Sequence, residues 1–312
     1  MICDKVYCLE FKEREQKEMM NPIKFVWRNI LARKYLWEYY DSCNDKLSDV
    51  LKKTIALEER KEIKPDCMEV VRCLKKYGPN FCPYRGSLWM SKRLLLKYPI
   101  FWDKQENIYA FYKGKRIYCK FHTLVAILAE QHERSPHRYF SNSLHVEKGD
   151  IFVDVGAAEG LISLGLIDEA AKVYLIEENE KQWKPLLEKT FSPYMEKTRI
   201  VYKFASDKND TKNITLDELL RADAETSRIV IKMDVEGAEE NVLKGAENLL
   251  RRDNVNFVIC TYHKDGDEEK FQKFFEKYGY QTEFSDGYMW VPNLSDNPPY
   301  LRKGVLRAWK TV

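Results

Sequence analysis

The stretch IFVDVGAAEG, Ile151 to Gly160, decides the fold of this 312-residue chain. An apolar segment, Ile151–Val155, carries one acid near its end and runs straight into a turn of two glycines, two alanines and a glutamate. A strand apolar on both faces belongs inside a parallel sheet, and backbone that bare directly after it marks a close approach to the main chain. In such sheets ligands sit beyond the carboxyl ends of the strands, so this turn is the first place to look for a site.

Downstream, strands and helices alternate. The pattern predicts a helix over Leu161–Ala171, a strand over Val173–Ile176, a helix through Trp183 and Leu187, and strands over Arg199–Lys203 and Ile229–Met233. GAEENVLKGAENLL sets Ala238, Val242, Ala246 and Leu249 along one helical face, as a crossover helix on a sheet requires. VNFVICTY reads as a central strand, and Phe271, Phe274, Phe275 and Tyr278 mark the helix after it. YGYQTEFSDGYMWV has a turn at Asp286-Gly287 between two strand-like segments, which predicts an antiparallel hairpin at the sheet edge. The fold class is therefore α/β: a doubly wound, Rossmann-like, mostly parallel sheet with an antiparallel edge hairpin.

Upstream, IYAFYKGKRIYCKF predicts a hairpin around Lys113-Gly114-Lys115, and HTLVAILAEQ a helix turning Leu124, Ile127 and Leu128 inward. The first hundred residues read as a helical extension. Asn21 as N-cap and Pro22 at the first helical position open a helix with Val26, Ile30 and Leu31 on one core-facing stripe. Leu47, Val50, Leu51 and Ile55 repeat that spacing, and a third helix is capped by Asp66 and ended at Gly78-Pro79. The chain divides on this reading into a helical region 1–98 (a lid, docking surface or dimer contact), a hairpin and helix 99–149, and a sheet domain 150–312.

What would the turn hold? A dinucleotide fingerprint needs glycines at 156, 158 and 161, where the chain has Gly156, Ala158 and Leu161, and the Gly-Lys-Ser/Thr of a phosphate loop is absent. A ligand without phosphates fits better. S-adenosylmethionine offers an amino-acid end for the open turn and helix start, where backbone N–H groups favour its carboxylate. Its ribose offers two hydroxyls to an acid, and Glu177, ending the next strand, lies at the offset of a ribose-binding carboxylate. Ser206 and Asp207 follow the third strand, where the adenine would lie. Taken singly, Asp154 reads equally as a turn cap and Glu177 as a helix-start acid.

ITLDELL (214–220), IVIKMDVEGAEENVLKGAENLL (229–250) and TYH (261–263) resemble the FkbM-type family of S-adenosylmethionine-dependent methyltransferases, over about residues 100–312. EQHERSPHRYF is similar to one branch of it. The resemblance implies a seven-stranded methyltransferase sheet and methylation of a hydroxyl on a sugar, glycan or natural product. Carried over by position, it implies that Asp154, Gly156, Ala157 and Gly160 form the methionine-end turn, that Glu177 holds the ribose, and that Ser206 and Asp207 flank the adenine. Asp234 and Glu236 would line the reaction centre, and His137 and Arg138 would reach over it. Ala158 departs from the central glycine of many methyltransferases and narrows the turn.

Methyl transfer to a hydroxyl calls for alignment and a proton acceptor. His263 ends an apolar strand at its rim and is the candidate base; Asp234 would orient cofactor or acceptor, with Tyr262 beside them. A strand-end histidine bonded to backbone is the bland alternative. Lys232 lies in an otherwise apolar strand and must pair with an acid or turn to the rim. Glu239 and Glu240 read as solvated.

The eight cysteines form no CxxC pair and have no histidine at zinc spacing, so free thiols and no metal are expected, the alternative being a divalent cation held by Asp234 with Glu236. No apolar run spans a bilayer and the N-terminus has no signal-like segment, so the default is cytoplasmic. Residues 1–149 carry 29 Lys and Arg against 19 Asp and Glu, and residues 150–312 carry 23 against 30. That imbalance could attract the two halves to each other or offer a basic face. With Trp27, Trp37 and Trp89 such a face would suit an RNA methyltransferase, but those aromatics fall at helical spacing and read as core, so nucleic acid is not the expected partner. A non-catalytic scaffold with this fold is the other alternative.

Overall fold

The computed structural model describes residues 22–223, 227–292 and 298–310. Three helices come first, α1 (Pro22–Glu59), α2 (Met68–Tyr77) and α3 (Ser87–Lys97). An antiparallel sheet of β1 (Phe101–Trp102), β2 (Ile108–Tyr112) and β3 (Lys115–Tyr118) follows, turning at Lys113-Gly114 as the sequence predicts, and then α4 (Phe121–Glu130). The alternating part runs β4 (Ile151–Val155), α5 (Leu161–Leu166), β5 (Lys172–Ile176), α6 (Glu180–Phe191), β6 (Thr198–Val201), β7 (Phe204–Ala205), β8 (Asn213–Ile214), α7 (Leu216–Leu219), β9 (Ile229–Met233), α8 (Glu239–Lys244), α9 (Glu247–Leu250), β10 (Val255–Cys260) and α10 (Asp267–Lys277). It closes with β11 (Gln281–Phe284), β12 (Met289–Trp290), β13 (Leu301–Arg302) and β14 (Val305–Trp309).

The large sheet is mixed, with strand order β6-β5-β4-β9-β10-β14-β11. The strands from β6 to β10 run parallel, and β14 is antiparallel to both β10 and β11. Alternate residues feed two cores. Phe152, Val173, Leu175, Val230 and Val258 face α4, α5 and α6, while Ile151, Val153, Ile229, Ile231 and Phe257 face α7 to α10. Burial on both faces is why these strands are near-continuous apolar runs.

A third core joins the two ends of the chain. Val50, Val70, Val71 and Leu74 of α1 and α2 pack with Tyr288, Trp290 and Tyr300, and the Trp290 indole N–H donates to Thr54 Oγ1 at 3.0 Å. This packing corrects the reading of the edge hairpin. Tyr288 and Trp290 leave the sheet to fill the third core, so β12 pairs with β13, and the partner of β11 is the later strand β14. Asp66 does not cap α2; its carboxylate accepts from the Tyr288 hydroxyl, and the helix starts after a 3₁₀ turn, Pro65–Cys67.

Two further expectations change. The helix predicted over 237–250 breaks into α8 and α9 at Gly245, where the Ser206 carbonyl approaches so closely that a Cβ would sit 2.0 Å from its oxygen and only glycine fits. The first helical stretch and the Leu47–Ile55 repeat are one helix, α1, whose start at Asn21 lies outside the described residues. Its body-facing stripe is Phe25, Asn29 and Ala32; Val26, Ile30 and Leu31 are exposed, and so is Trp27. Asn29 can sit inward because its amide both donates to the Ile100 carbonyl and accepts from the Ile100 N–H, each at 3.0 Å. The side chains of Trp37 and Trp89 lie outside the described residues.

The shared third core yields a direct expectation. Trp290→Ala should cost about 3–5 kcal/mol in chemical denaturation, the range for emptying a fully buried aromatic site, whereas Thr54→Val, which removes one hydrogen-bond partner, should cost about 1–3 kcal/mol.

Candidate active site

The glycine turn is shaped first by its own neighbours. Gly156 has φ +78°, and a Cβ on it would lie 1.9 Å from the backbone oxygen of Asp234; Gly160 has φ +77°, and a Cβ would lie 2.5 Å from the Phe191 ring. Both glycines therefore serve chain packing, one admitting the turn after β9 and the other α6. Ala157 is buried. Ala158 sits at φ +47°, a region alanine rarely enters, and its N–H donates to Glu177 Oε2 at 2.9 Å.

Asp154 and Lys232 are register partners on β4 and β9. Lys232 Nζ lies 2.9 Å from Asp154 Oδ1 and donates to the Gly156 carbonyl at 2.8 Å, and Ser163 on α5 donates to Asp154 Oδ2 at 2.7 Å. The lysine thus pairs with an acid, as the sequence requires, and the Asp154 carboxylate is spent inside the fold with only the backbone after it facing the turn. Burial works to lower the Lys232 pKa, but Asp154 and Asp234 hold it above its ordinary value.

Glu177, ending β5, is buried, and its two oxygens accept from the N–H groups of Ala158 and Asn179, both at 2.9 Å. Burial raises its pKa. Beyond it opens a concavity lined by Glu178, Asn179, Lys181 and Lys184. Ser206 and Asp207 follow β7 on an exposed loop, where the Ser206 hydroxyl donates to Asp207 at 3.1 Å.

The densest chemistry surrounds Asp234, just past β9. Tyr139 donates to its Oδ2 at 2.7 Å and Tyr262 to its Oδ1 at 3.3 Å; His137 Nε2 lies 3.6 Å from Oδ2 and His263 Nε2 3.4 Å from Oδ1. Burial would raise the Asp234 pKa, yet His137, Lys232 and His263 hold it well below the usual carboxylate range. The structure thus brings together Asp234, His263, Tyr262 and His137 from the sequence-derived set. Glu236 turns away: its φ is +54°, its side chain is 92% exposed, and Oε2 lies 3.9 Å from His263 Nε2. From Arg138 it is the main chain that is held: buried Arg307 of β14 binds the carbonyls of Arg138 and Tyr139, at 2.7 and 2.8 Å, and so sets Tyr139 against Asp234.

His263 is more enclosed than a rim position suggests. Its Nδ1 lies 2.8 Å from Oε1 of Glu239, and Glu239 is itself buried, accepting from the Val235 N–H at 3.1 Å. That corrects the reading of Glu239 as solvated; Glu240, paired with Lys244 and Lys270, does face solvent. Burial lowers the His263 pKa, but Glu239 and Asp234 raise it more, so it stands above the ordinary imidazole value. His137 is oriented in the same manner, with Nδ1 3.1 Å from Glu130 Oε2.

The donor atoms of His137, Asp234 and Cys260 lie within 4.8 Å of one another, as do those of Cys82, Glu130 and His137. His137 is common to both groups, and its ring nitrogens already face Glu130 and Asp234, which accounts for the arrangement without an ion. Tyr139, Glu130 and the inward role of Glu239 escaped the sequence reading. The one signal available was Lys232, a charge inside an apolar strand, opposite the single acid of another.

Residues 105–282 match the family model of the methyltransferase FkbM domain. A structure of methyltransferase FkbM from Methylobacillus flagellatus KT is similar at 20% identity, over 60% of this chain and 54% of that one, with a TM-score of 0.44. The chain spans about half the length of that relative. Precorrin-6y C5,15-methyltransferase from Geobacter metallireducens GS-15 is similar at 15% identity, over 54% of this chain and 84% of that one, TM-score 0.37. TrmK of M. capricolum, in complex with S-adenosyl-homocysteine, is similar at 10% identity, over 55% and 70%, TM-score 0.35. No curated protein matches.

One residue of the turn makes stability depend on pH. Glu159 is fully buried, both its oxygens lack a hydrogen-bond partner, and burial pushes its carboxyl from 4.5 up to about 7. Between those values the folded chain holds a proton that the unfolded chain has released, so stability contributed by this group falls as pH rises through the window. Glu159→Gln should therefore raise the melting temperature more at pH 8 than at pH 5, with a gain of about 2–3 kcal/mol at the alkaline end in paired denaturation curves. An equal effect at both pH values would show that Glu159 is charged or protonated throughout.

Proposed function

The chain belongs to the FkbM methyltransferase family, and on that premise we propose that it transfers a methyl group from S-adenosylmethionine to a hydroxyl of a sugar, glycan or natural-product acceptor. One observation carries the reading: the Gly156 turn and the Asp234 cluster are a single unit, with the turn packed directly on the Asp234 backbone. A ligand lying along the turn would present its reactive end to Asp234, Tyr262 and His263.

The residues present fit the cofactor. Each Glu177 oxygen uses one backbone donor, leaving a lone pair on each for the two ribose hydroxyls. The N–H groups of Gly156, Ala157, Ala158 and Gly160 are used inside the chain, so an amino-acid carboxylate would be met by the N–H groups opening α5, with Ser206 and Asp207 proposed beside the adenine. S-adenosylmethionine, when bound, supplies an activated methyl group on a sulfonium. What remains for the protein is to align the acceptor and accept its proton.

His263 is the proposed acceptor of that proton. Glu239 fixes the ring through Nδ1 and points Nε2 towards Asp234 and the exposed Glu236. Asp234, held ionised, would orient the hydroxyl or the cofactor's ammonium, with Tyr262 and His137 positioning it. Within this reading residues 1–98 serve as a lid, docking surface or dimer contact and stand outside the cofactor site.

Two measurements test the assignment. Calorimetry should show S-adenosylmethionine and S-adenosylhomocysteine binding, and Glu177→Ala weakening them by about 1.5–3 kcal/mol; unchanged affinity would remove Glu177 from the site. With labelled cofactor and fractionated glycans, RNA and metabolites, label should enter the glycan or small-molecule fraction. On that acceptor His263→Ala should keep cofactor affinity and lower turnover by about 10²–10⁴-fold. Because the His263 pKa is raised, wild-type turnover should climb with pH through a midpoint above the ordinary imidazole value, and the variant should lose that limb. Normal turnover with an unchanged profile would place the base elsewhere.

A further inference from the structure

The acids around the glycine turn differ in what they hold. Asp154 is engaged by Lys232 and Ser163, and Glu177 accepts from the N–H groups of Ala158 and Asn179. Glu159, within the turn itself, is fully buried, and neither of its oxygens has a hydrogen-bond partner among the described residues. A carboxyl sealed in this way is a standing cost to the fold and calls for an explanation.

The polar groups that face it come from the entry to α4 and from α4 itself: the Cys119 thiol, Lys120, Thr123 and Glu130. None of them satisfies it. Thr123 donates its hydroxyl to the Lys120 carbonyl at 2.7 Å, and the Lys120 ammonium lies 4.9 Å from the Trp183 ring. Thr123 and Lys120 therefore favour the ionised carboxyl only in part, burial outweighs them, and in the protein alone the group stays protonated up to about pH 7.

A cation brought to the turn would change that balance, and the amino-acid end of S-adenosylmethionine carries one. Its ammonium needs acceptors, and those at the head of the turn are engaged: the Gly156 carbonyl accepts from Lys232 and the Ala157 carbonyl from the Gly160 N–H. The Asp234 carboxylate is met by two phenols and two imidazoles. Glu159 combines a place in the turn with two oxygens that nothing yet uses. We propose that Glu159 receives the ammonium of the cofactor's amino-acid end, which leaves Asp234 to the acceptor hydroxyl. The inference rests on the reading of the turn as an S-adenosylmethionine site. On binding, the carboxyl O–H gives its proton to solvent, the long side chain turns from beneath α4 towards the ligand, and the ammonium keeps its own protons.

Calorimetry on the full chain, in buffers of different ionisation enthalpy, counts the protons exchanged. S-adenosylhomocysteine should release close to one proton from Glu159 at about pH 6 and fewer towards about pH 7.5, with affinity climbing over the same window, which ends before the ligand's own amine titrates near pH 8. Methylthioadenosine, which shares the nucleoside and lacks the amino-acid end, should bind without that release. Glu159→Gln should weaken S-adenosylhomocysteine and S-adenosylmethionine alike, by about 10- to 100-fold, and leave methylthioadenosine unchanged. His137 and His263 also stand above the ordinary imidazole value, so the protons lost between wild type and Glu159→Gln are the ones assigned to Glu159. Equal weakening of all three ligands would make Glu159 a purely structural residue, and weakening of S-adenosylmethionine alone would set it against the sulfonium; either result overturns the proposal. So would equal proton release with methylthioadenosine, a comparison that needs no variant. If none of the three ligands binds the wild type, the cofactor reading itself fails and takes the proposal with it.

Discussion

The buried pair between Asp154 and Lys232 is the constraint on which the site rests. Two charges on adjacent central strands cost several kcal/mol each to desolvate, and the pair stands only because Ser163 and the Gly156 carbonyl take up further hydrogen bonds. In exchange it fixes three things at once: the register of β4 on β9, the position of α5, and the path of the turn after β4. Removing either partner would leave the other charge uncompensated in the sheet, beside Asp234.

Around that pair the two successive turns are held in uncommon backbone conformations. Ala158 and Glu236 both have positive φ, each in the turn that follows a central parallel strand. Such strain persists only where the surroundings over-determine it, and here Glu177 holds the first turn and Glu239 the second. The Asp234 carboxylate is then met by two phenols and two imidazoles, none on the same strand. Its ionised state is held by His137, Lys232 and His263, while Arg307 braces the main chain of Tyr139 and Arg302 binds the carbonyls of Tyr262 and His263 at 2.7 and 3.1 Å.

The parallel core was plain in the sequence because strands buried on both faces have no choice of residue type, and the Lys113-Gly114 hairpin because its turn is local. What stayed hidden was non-local. Nothing in YGYQTEFSDGYMWV says that Tyr288 and Trp290 are owed to α1 and α2, and no periodicity separates Glu239 from Glu240 when one is drawn inward by His263 and backbone N–H groups. On α1 an asparagine marks the buried stripe and aliphatic residues the exposed one, so hydrophobicity alone selects the wrong face. At the glycine turn the residue types were read correctly as a sign of close approach, but the nearest approaching groups are the chain's own Asp234 carbonyl and Phe191 ring.

The placement of β14 has a consequence for how the protein emerges from the ribosome. Strand β14 lies between β10 and β11, although it is translated after both. Until residues 305–309 clear the exit tunnel, β10 presents an unpaired edge on a strand that is apolar but for Asn256, and β11 has no sheet to join. During that interval the nascent chain is open to pairing with another strand, and premature termination within this last stretch would leave the hazard permanent. Vectorial synthesis thus makes the closure of this part of the sheet a late event.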